Sequence, residues 1–173
     1  MIHVVGVTPE ASTLKEAFGG LKPKETIHVG KKELQWSYER LNTATTGDLD
    51  YVAIGCPHCS LEEFRHIAAL LRGRKVHSKI ILFVAISTIK YDLAKRMGLV
   101  KVIEDCGGVV VKGMCPGASI FGRFGKDLGV SAVATNSSKN AHYIGAHSGG
   151  YVKTRFGSLE RCIEAAIAGK WEN

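Results

Sequence analysis

The sequence predicts a three-layer α/β/α fold built on a mainly parallel β-sheet. Short apolar stretches rich in β-branched residues alternate along the chain with amphipathic stretches of helical length, a pattern typical of parallel strands joined by helices. Lys79–Ile86 is almost continuously apolar, as expected of a central parallel strand covered on both faces. Serine and glycine mark helix ends, since Ser158 precedes an amphipathic stretch that Gly169 closes. These observations together predict helices on both faces of the sheet.

The composition limits the class of protein. A chain of 173 residues with 45% hydrophobic residues suits one well-packed domain, so we expect a single α/β domain over residues 1–173. No apolar run reaches membrane-spanning length and no leader pattern is visible, so we expect a cytoplasmic protein without a membrane partner. The net charge of +7 suits a small anionic ligand or a solvated basic surface. The basic clusters lack interleaved aromatic residues, so nucleic acid is not a predicted partner.

Hydrophobic periodicity and end signals predict the elements in chain order. Helices are expected from Thr8 to Gly19, over Lys32–Thr43, directly after Cys59, from Ser87 to Met97, over Val100–Asp105 and over Leu159–Ala168. Strands are expected over Met1–Val7, Glu25–Gly30, Tyr51–Ile54, Lys79–Ile86, Val109–Lys112, Ser131–Thr135 and Tyr151–Thr154. Met114–Phe124 is expected to be a loop.

Cys56-Pro57-His58-Cys59 stands at the most informative of the predicted turns. It follows a predicted buried strand and precedes Ser60, which forms a capping-box pattern with Glu63. The helix should therefore begin right after Cys59. The positive end of a helix dipole favours anions, thiolates included, so we expect both thiols of this turn to be favoured as thiolates.

Other polar and sulfur-bearing residues collect where predicted strands end. Ligands of parallel α/β sheets bind beyond the carboxyl ends of the strands, so these residues are candidates for one site. A helix start near a lysine also suits the binding of a carboxylate or a phosphate. Such a start is expected after the predicted strand Ser131–Thr135, close to Lys139. The candidates are Thr8, Cys56, His58, Cys115, Asn136, Ser137, Lys139 and His142.

The cysteines allow several kinds of chemistry. A dithiol between strand and helix is typical of thioredoxin-like oxidoreductases, but Gly55 stands where these usually carry an aromatic residue, and Pro116 lies in a glycine-rich loop rather than before a strand. A structural zinc site would need a second cysteine pair at ligand spacing. An iron–sulfur cluster held by separate loops suits Cys56 and Cys115. Such a cluster is one thiolate short unless Cys59 or another segment supplies the third.

Several separated motifs stand out along the chain: Gly6–Ala11, Gly55–His58 with Ser60, Thr135–Ser137 with Lys139, Ala141–Tyr143, and Leu159–Cys162 with Ala165, Ala166 and Gly169–Trp171. Together they resemble the motifs of the aconitase X family of iron–sulfur dehydratases. They occur in the family's order and cover nearly the whole chain, which resembles the carboxyl-terminal half of the family's large subunit. The other half and the small swivelling domain have no counterpart in this sequence.

The resemblance implies an aconitase-like fold and an enzyme, a hydro-lyase that eliminates water from a small anionic hydroxy acid. It further implies a 4Fe-4S cluster with Cys56 and Cys115 as ligands, a third cysteine ligand from outside this chain, and Cys59 as an additional thiol. The implied partners are the remaining half of the large subunit and a small swivelling-domain subunit. The implied substrate is mevalonate 5-phosphate, with cis-3-hydroxy-L-proline as the alternative. A thiol–disulfide oxidoreductase and a non-catalytic binding subunit are the alternatives from other classes.

Roles follow for the candidate residues. We expect His58, Ser137, Lys139 and His142 to serve catalysis. We expect Thr8 and Asn136 to bind substrate, together with Ser137 and Lys139.

Overall fold

The computed structural model describes residues 2–117 and 123–172. The chain divides after Gln35 into two compact units. The larger unit, which begins at Trp36, carries the β-sheet. The expectation of a single domain over the whole chain stays a prediction.

Within the described residues, the larger unit contains a five-stranded sheet in the order β3-β2-β1-β4-β5, and all neighbouring strands are parallel. The predicted three-layer fold with a mainly parallel sheet is therefore confirmed. The strands are β1 (Tyr51–Cys59), β2 (Ile81–Ile86), β3 (Gly108–Lys112), β4 (Ala132–Thr135) and β5 (Lys153–Phe156).

Helices connect the strands, as parallel pairing requires. The helix predicted after Ser158 has the predicted bounds, and Gly169 ends it in a left-handed conformation. The other helices predicted beyond residue 30 begin and end within a few residues of expectation. The helices are α1 (Leu14–Ala17), α2 (Lys31–Leu41), α3 (Leu61–Leu71), α4 (Thr88–Arg96), α5 (Leu99–Asp105), α6 (Arg123–Asp127), α7 (Ser138–His147) and α8 (Leu159–Ala168).

The sheet separates two apolar clusters because successive side chains of a strand point to opposite faces. In β1, Val52 and Ile54 belong to the larger cluster, which includes side chains of α3, α5 and α8. Tyr51 and Ala53 belong to the other cluster, where Ile144 of α7 packs. Helices α3, α5 and α8 therefore cover one face, and α7 covers the opposite face.

The carboxyl end of β1 is longer than predicted and irregular. The strand runs on to Cys59, but between the pairs Ile54–Val84 and Cys59–Ile86 it has four residues where β2 has one. Gly55 begins this bulge with φ of +100°, and a Cβ at this position would overlap the backbone carbonyl of Ala85. A bulge turns side chains out of the regular ladder and is frequent beside functional sites. The bulge contains the cis Cys56–Pro57 peptide bond and His58.

The predicted capping box at the start of α3 is confirmed. The Ser60 hydroxyl accepts a hydrogen bond from the Glu63 backbone at 3.1 Å, and the Glu63 carboxylate accepts one from the Ser60 backbone at 2.8 Å. These two bonds satisfy donors that the first helical turn leaves open. They fix α3 directly behind the bulge of β1.

The smaller unit differs from expectation. The strands predicted over Met1–Val7 and Glu25–Gly30 are not formed, although Met1 itself lies outside the described residues. The helix predicted from Thr8 is also wrong, because the Thr8 hydroxyl accepts a bond from Val4 N–H at 2.9 Å within a turn. Between residues 2 and 30 the helix is α1, which Thr13 caps. A strand needs a partner strand to pair with, and the described residues 2–35 provide none.

Smaller differences concern the loops and the last strand. The strand predicted over Tyr151–Thr154 is β5, which begins two residues later. The predicted loop Met114–Phe124 ends earlier, because α6 begins at Arg123. Positions 118–122 of that loop lie outside the described residues. In the described part of the chain, no helix is both long enough and apolar enough to cross a membrane.

Gly55→Ala should be far more destabilising than Gly73→Ala. Both glycines have positive φ, which costs an alanine roughly 1–2 kcal/mol, but only the Cβ at Gly55 would overlap the Ala85 backbone. We expect urea unfolding to show a loss of about 3 kcal/mol or more for Gly55→Ala and about 1–2 kcal/mol for Gly73→Ala. Equal losses would contradict the close approach of β1 and β2.

Candidate functional site

The strand order places a crevice between β1 and β4. From β1 the chain proceeds through β2 to β3 on one side, and then returns to β4 and β5 on the other side. Ligands of open parallel sheets bind at such a point, beyond the carboxyl ends of the strands. The bulge of β1 and the start of α7, which follows β4, lie at these carboxyl ends.

The loop that follows β3 crosses the carboxyl ends of the strands. Gly113 N–H donates to the last carbonyl of β2 at 2.9 Å. The Met114 carbonyl lies 3.0 Å from Nε2 of His58 in the bulge of β1. Gly117 lies so close to the buried side chain of Asn140 in α7 that a Cβ would collide with its amide oxygen. The loop therefore joins the ends of three elements that are distant in sequence.

His58 holds this loop through a hydrogen bond with a fixed direction. A carbonyl oxygen only accepts, so Nε2 of His58 carries the proton, and in the neutral ring Nδ1 remains an acceptor. The side chain is half-buried in the bulge. The contact gives His58 a positioning role toward the loop that contains Cys115, and the catalytic role expected from sequence stays a prediction.

Two of the predicted cluster ligands come from the segments that this bond joins. Cys56 lies in the bulge and is 8% exposed. Cys115 is exposed, one residue beyond Met114, and lines a cavity of about 300 Å³. Among the described residues, Cys115 shares this cavity with Gly117, Lys139, Tyr143 and His147.

One face of α7 forms the other wall of the cavity. Lys139, Tyr143 and His147 are spaced four residues apart, so they lie on the same side of the helix. The rings of Tyr143 and His147 have centroids 5.8 Å apart. The wall therefore offers an ammonium group, a phenol and an imidazole to whatever occupies the cavity.

The first turn of α7 is capped by a serine side chain. Ser137 is the N-cap, and its hydroxyl accepts a bond from Asn140 N–H at 3.1 Å. The hydroxyl of buried Thr135 accepts from Ser137 N–H at 3.2 Å, which attaches the turn to the end of β4. Asn136 precedes the cap and is half-buried. The structure thus brings Asn136, Ser137 and Lys139 together at one helix start.

Two predicted site residues are not among those that line the cavity. His142 is exposed on α7, with its ring centroid 5.0 Å from that of Tyr143, and is not part of the cavity wall. Thr8 belongs to the smaller unit, where its hydroxyl accepts the bond from Val4. The roles expected for both residues stay predictions.

Sequence reasoning missed Asn140, Tyr143 and His147. The signal for the last two was available, since both follow Lys139 at multiples of four residues on a helix with a predicted start. Asn140 had no such signal. It is 3% exposed, and its amide nitrogen has no hydrogen-bond partner among the described residues.

An iron–sulfur cluster requires side chains that can act as its ligands. Among residues 2–117 and 123–172, no group of three or more His, Cys, Asp or Glu side chains could hold a metal ion. Cys56 and Cys115 nevertheless supply two thiols from segments tied by the His58 bond. This pair suits two ligands of a cluster, and a further ligand would have to come from elsewhere.

Cys59 does not behave as the helix-start argument predicts. It is 1% exposed, and burial, followed by the negative charge of Glu63, raises its pKa to about 12. The expectation that the helix start favours both thiolates of the motif is therefore wrong for Cys59, because desolvation outweighs the dipole. A thiol–disulfide oxidoreductase needs an accessible, acidic thiol pair, so this geometry disfavours that class.

Comparison with known proteins identifies the family of the chain. A family model described as the aconitase X third domain matches residues 49–168. The chain belongs to the aconitase X family. The crystal structure of Thermococcus kodakaraensis aconitase X in its holo-form matches with a TM-score of 0.69 and 31% identity, over 84% of this chain and 35% of that one.

Two kinds of curated relatives are similar to the chain. The cis-3-hydroxy-L-proline dehydratase of Pseudomonas aeruginosa is 36% identical over 98% of this chain. The phosphomevalonate dehydratase large subunit of Methanocaldococcus jannaschii is 44% identical over 69% of it. The chain spans only 29% and 28% of these relatives, respectively. It therefore corresponds to part of such a polypeptide.

Thiol reactivity should distinguish the cysteines. We expect Ellman's reagent at pH 8 to modify Cys115 rapidly in the folded chain, because its side chain is exposed. Cys59 and Cys162 should react only on unfolding, since burial raises the pKa of each to about 12. Cys115→Ser should remove the fast phase. Rapid paired reaction of Cys56 and Cys59 would instead support the oxidoreductase alternative.

His58→Ala should loosen the loop after β3. Loss of one hydrogen bond, worth about 0.5–1.5 kcal/mol, should speed amide exchange in residues 113–117 about two- to tenfold. Mass-detected hydrogen exchange measures this change. His66→Ala is the matched control, since His66 is exposed and lies 3.1 Å from Glu160, away from the loop. Unchanged exchange in His58→Ala would contradict the positioning role.

Proposed function

We propose that this chain supplies part of the active site of an iron–sulfur-dependent dehydratase that removes water from a small anionic hydroxy acid. One observation carries the proposal: in a chain of the aconitase X family, a cavity at the point where the strand order reverses is lined by the Cys115 thiol and by a polar face of α7. The location follows the rule for ligand sites in parallel sheets.

Cys56 and Cys115 are the residues of this chain that would hold the cluster, with a third cysteine from outside the chain. A cluster held by three cysteines would supply a Lewis acid for the leaving hydroxyl. The contribution of His58 is to keep the Cys115 loop against the bulge that contains Cys56. Cys59 is buried in the core and dispensable for this arrangement.

The start of α7 is the proposed anion site. Backbone N–H groups and the positive dipole end attract a carboxylate or a phosphate, and Lys139 adds a full positive charge on the cavity wall. Asn136 and Ser137 add polar groups at the same turn, and Thr8 stays a proposed contributor. Removal of the proton next to the carboxylate requires a base, for which the proposed residues are Lys139, Ser137 and His142.

Mevalonate 5-phosphate is the proposed substrate, and cis-3-hydroxy-L-proline is the alternative. Relatives with both names are similar to this chain. A cationic helix start suits the additional phosphate of the first compound. The proposed partners are the rest of the large-subunit polypeptide and a small subunit, and the proposed location is the cytoplasm. A non-catalytic binding subunit with the same fold is the alternative that the cysteine variants below exclude or support.

Reconstitution tests the proposal. The chain would be mixed without oxygen with the remaining parts of the Methanocaldococcus jannaschii dehydratase, iron and sulfide, and loss of water from each substrate followed by mass spectrometry. We expect turnover of mevalonate 5-phosphate that falls at least about 100-fold in Cys56→Ala and Cys115→Ala, a barrier increase of about 2.7 kcal/mol. The matched control, Cys59→Ala, should retain activity within about threefold.

Two results would overturn the proposal. Turnover by the chain alone would show that no outside ligand is needed. Full activity of both cysteine variants in the reconstituted enzyme would show that the cavity with Cys115 is not part of a cluster site, and would favour a binding subunit.

A further inference from the structure

The smaller unit presents an apolar surface that its own fold does not cover. Among residues 2–35, Ala11 is the one buried residue. Ten large apolar side chains in this segment are exposed, with exposed fractions from 41% at Phe18 to 90% at Ile2. The ten are Ile2, Val4, Val5, Val7, Leu14, Phe18, Leu21, Ile27, Val29 and Leu34.

Such a surface indicates a missing partner. Burial of apolar area provides most of the free energy that offsets the entropy lost when a chain is ordered. A segment of about 34 residues with one buried side chain therefore gains little stabilisation from its own fold. Exposed apolar surface of this density typically marks an interaction site.

The segment is nevertheless locally ordered. The Thr13 capping box starts α1, with the Thr13 backbone donating to Glu16 at 2.9 Å. Gly6 N–H donates to the Ala11 carbonyl at 2.9 Å, which closes the preceding turn. Its charges nearly balance, with five lysines and four glutamates in residues 2–35. Apolar contact rather than net charge would therefore drive its association.

The family comparisons indicate what the partner is. The third-domain model begins at residue 49, whereas relatives from Pseudomonas aeruginosa and Hypocrea jecorina match over 98% and 99% of the chain. Residues 2–35 are thus shared with these relatives but lie outside the third domain. The chain spans 29% and 28% of the two polypeptides, so most of each consists of other segments.

We infer that residues 2–35 are a docking segment whose apolar side chains complete the core of a neighbouring aconitase X domain, within the part of the family polypeptide that this chain does not span. The inference rests on membership of the family and deepens the proposed need for partner segments, but it does not require dehydratase activity. The neighbouring domain would then be incomplete without this segment.

A second apolar surface serves as the control. Ile89 and Leu93 lie four residues apart on α4 and are 88% and 47% exposed. They belong to the larger unit, which has its own buried core. Substitution there should leave the docking segment intact.

The test is a binding experiment without substrate or iron. A fragment of the Pseudomonas aeruginosa dehydratase that lacks the matched segment is first shown to bind that enzyme's own matched segment. It is then mixed with the full chain, with Leu21→Asp/Ile27→Asp/Val29→Asp, and with Ile89→Asp/Leu93→Asp. Calorimetry gives the affinity, light scattering gives the stoichiometry, and hydrogen exchange maps the contact.

We expect a one-to-one complex in which new protection concentrates in residues 2–35. The triple variant should bind at least about tenfold more weakly, and the α4 variant should bind within about threefold of the unchanged chain. Equal binding by the triple variant, no binding by the unchanged chain, or a dimer of this chain formed through residues 2–35 would each overturn the inference. Because activity is not measured, failure here is distinct from failure of the proposed dehydratase function.

Discussion

Parallel pairing of β1 on both of its edges is the constraint on which the rest of the larger unit depends. Pairing with β2 and with β4 makes β1 the strand where the order of the sheet reverses. Its side chains pack into a different apolar cluster on each face of the sheet, so a one-residue shift would exchange the two sets of side chains. The four bulged residues are where β1 departs from this ladder, and they carry Cys56 and His58 to the sheet edge.

Features that depend on neighbouring residues in the chain are predicted well from the sequence. The capping box of Ser60 with Glu63, the bounds of α8 and the buried strand β2 depend on residues close together in the chain. The strands expected in the smaller unit did not form. A strand needs a neighbouring strand to pair with, and apolar side chains alone do not specify that neighbour. The Thr8 helix start failed because a turn bond to Val4 occupies the hydroxyl.

The candidate site could be predicted in part for the same reason. Cys56, Ser137 and Lys139 all follow strand ends, and they come to the same end of the sheet because parallel strands end on the same side. The path of the loop after β3 depends on the strand order, which a single sequence does not contain, so the bond between His58 and Met114 could not be foreseen. The burial of Cys59 depends on the packing of α3 against the sheet, which outweighs the helix dipole.

The four-residue spacing of Lys139, Tyr143 and His147 has an evolutionary consequence. These side chains are carried by a helix whose opposite, apolar side anchors it through Ala141 and Ile144. Exchange of exposed residues on such a face usually changes stability by less than about 0.5 kcal/mol. Selection can therefore retune the chemistry of this wall, one position at a time, while the sheet beneath it remains unchanged. A scaffold of this kind allows relatives to diverge in the molecules that they recognise without having to redesign their cores.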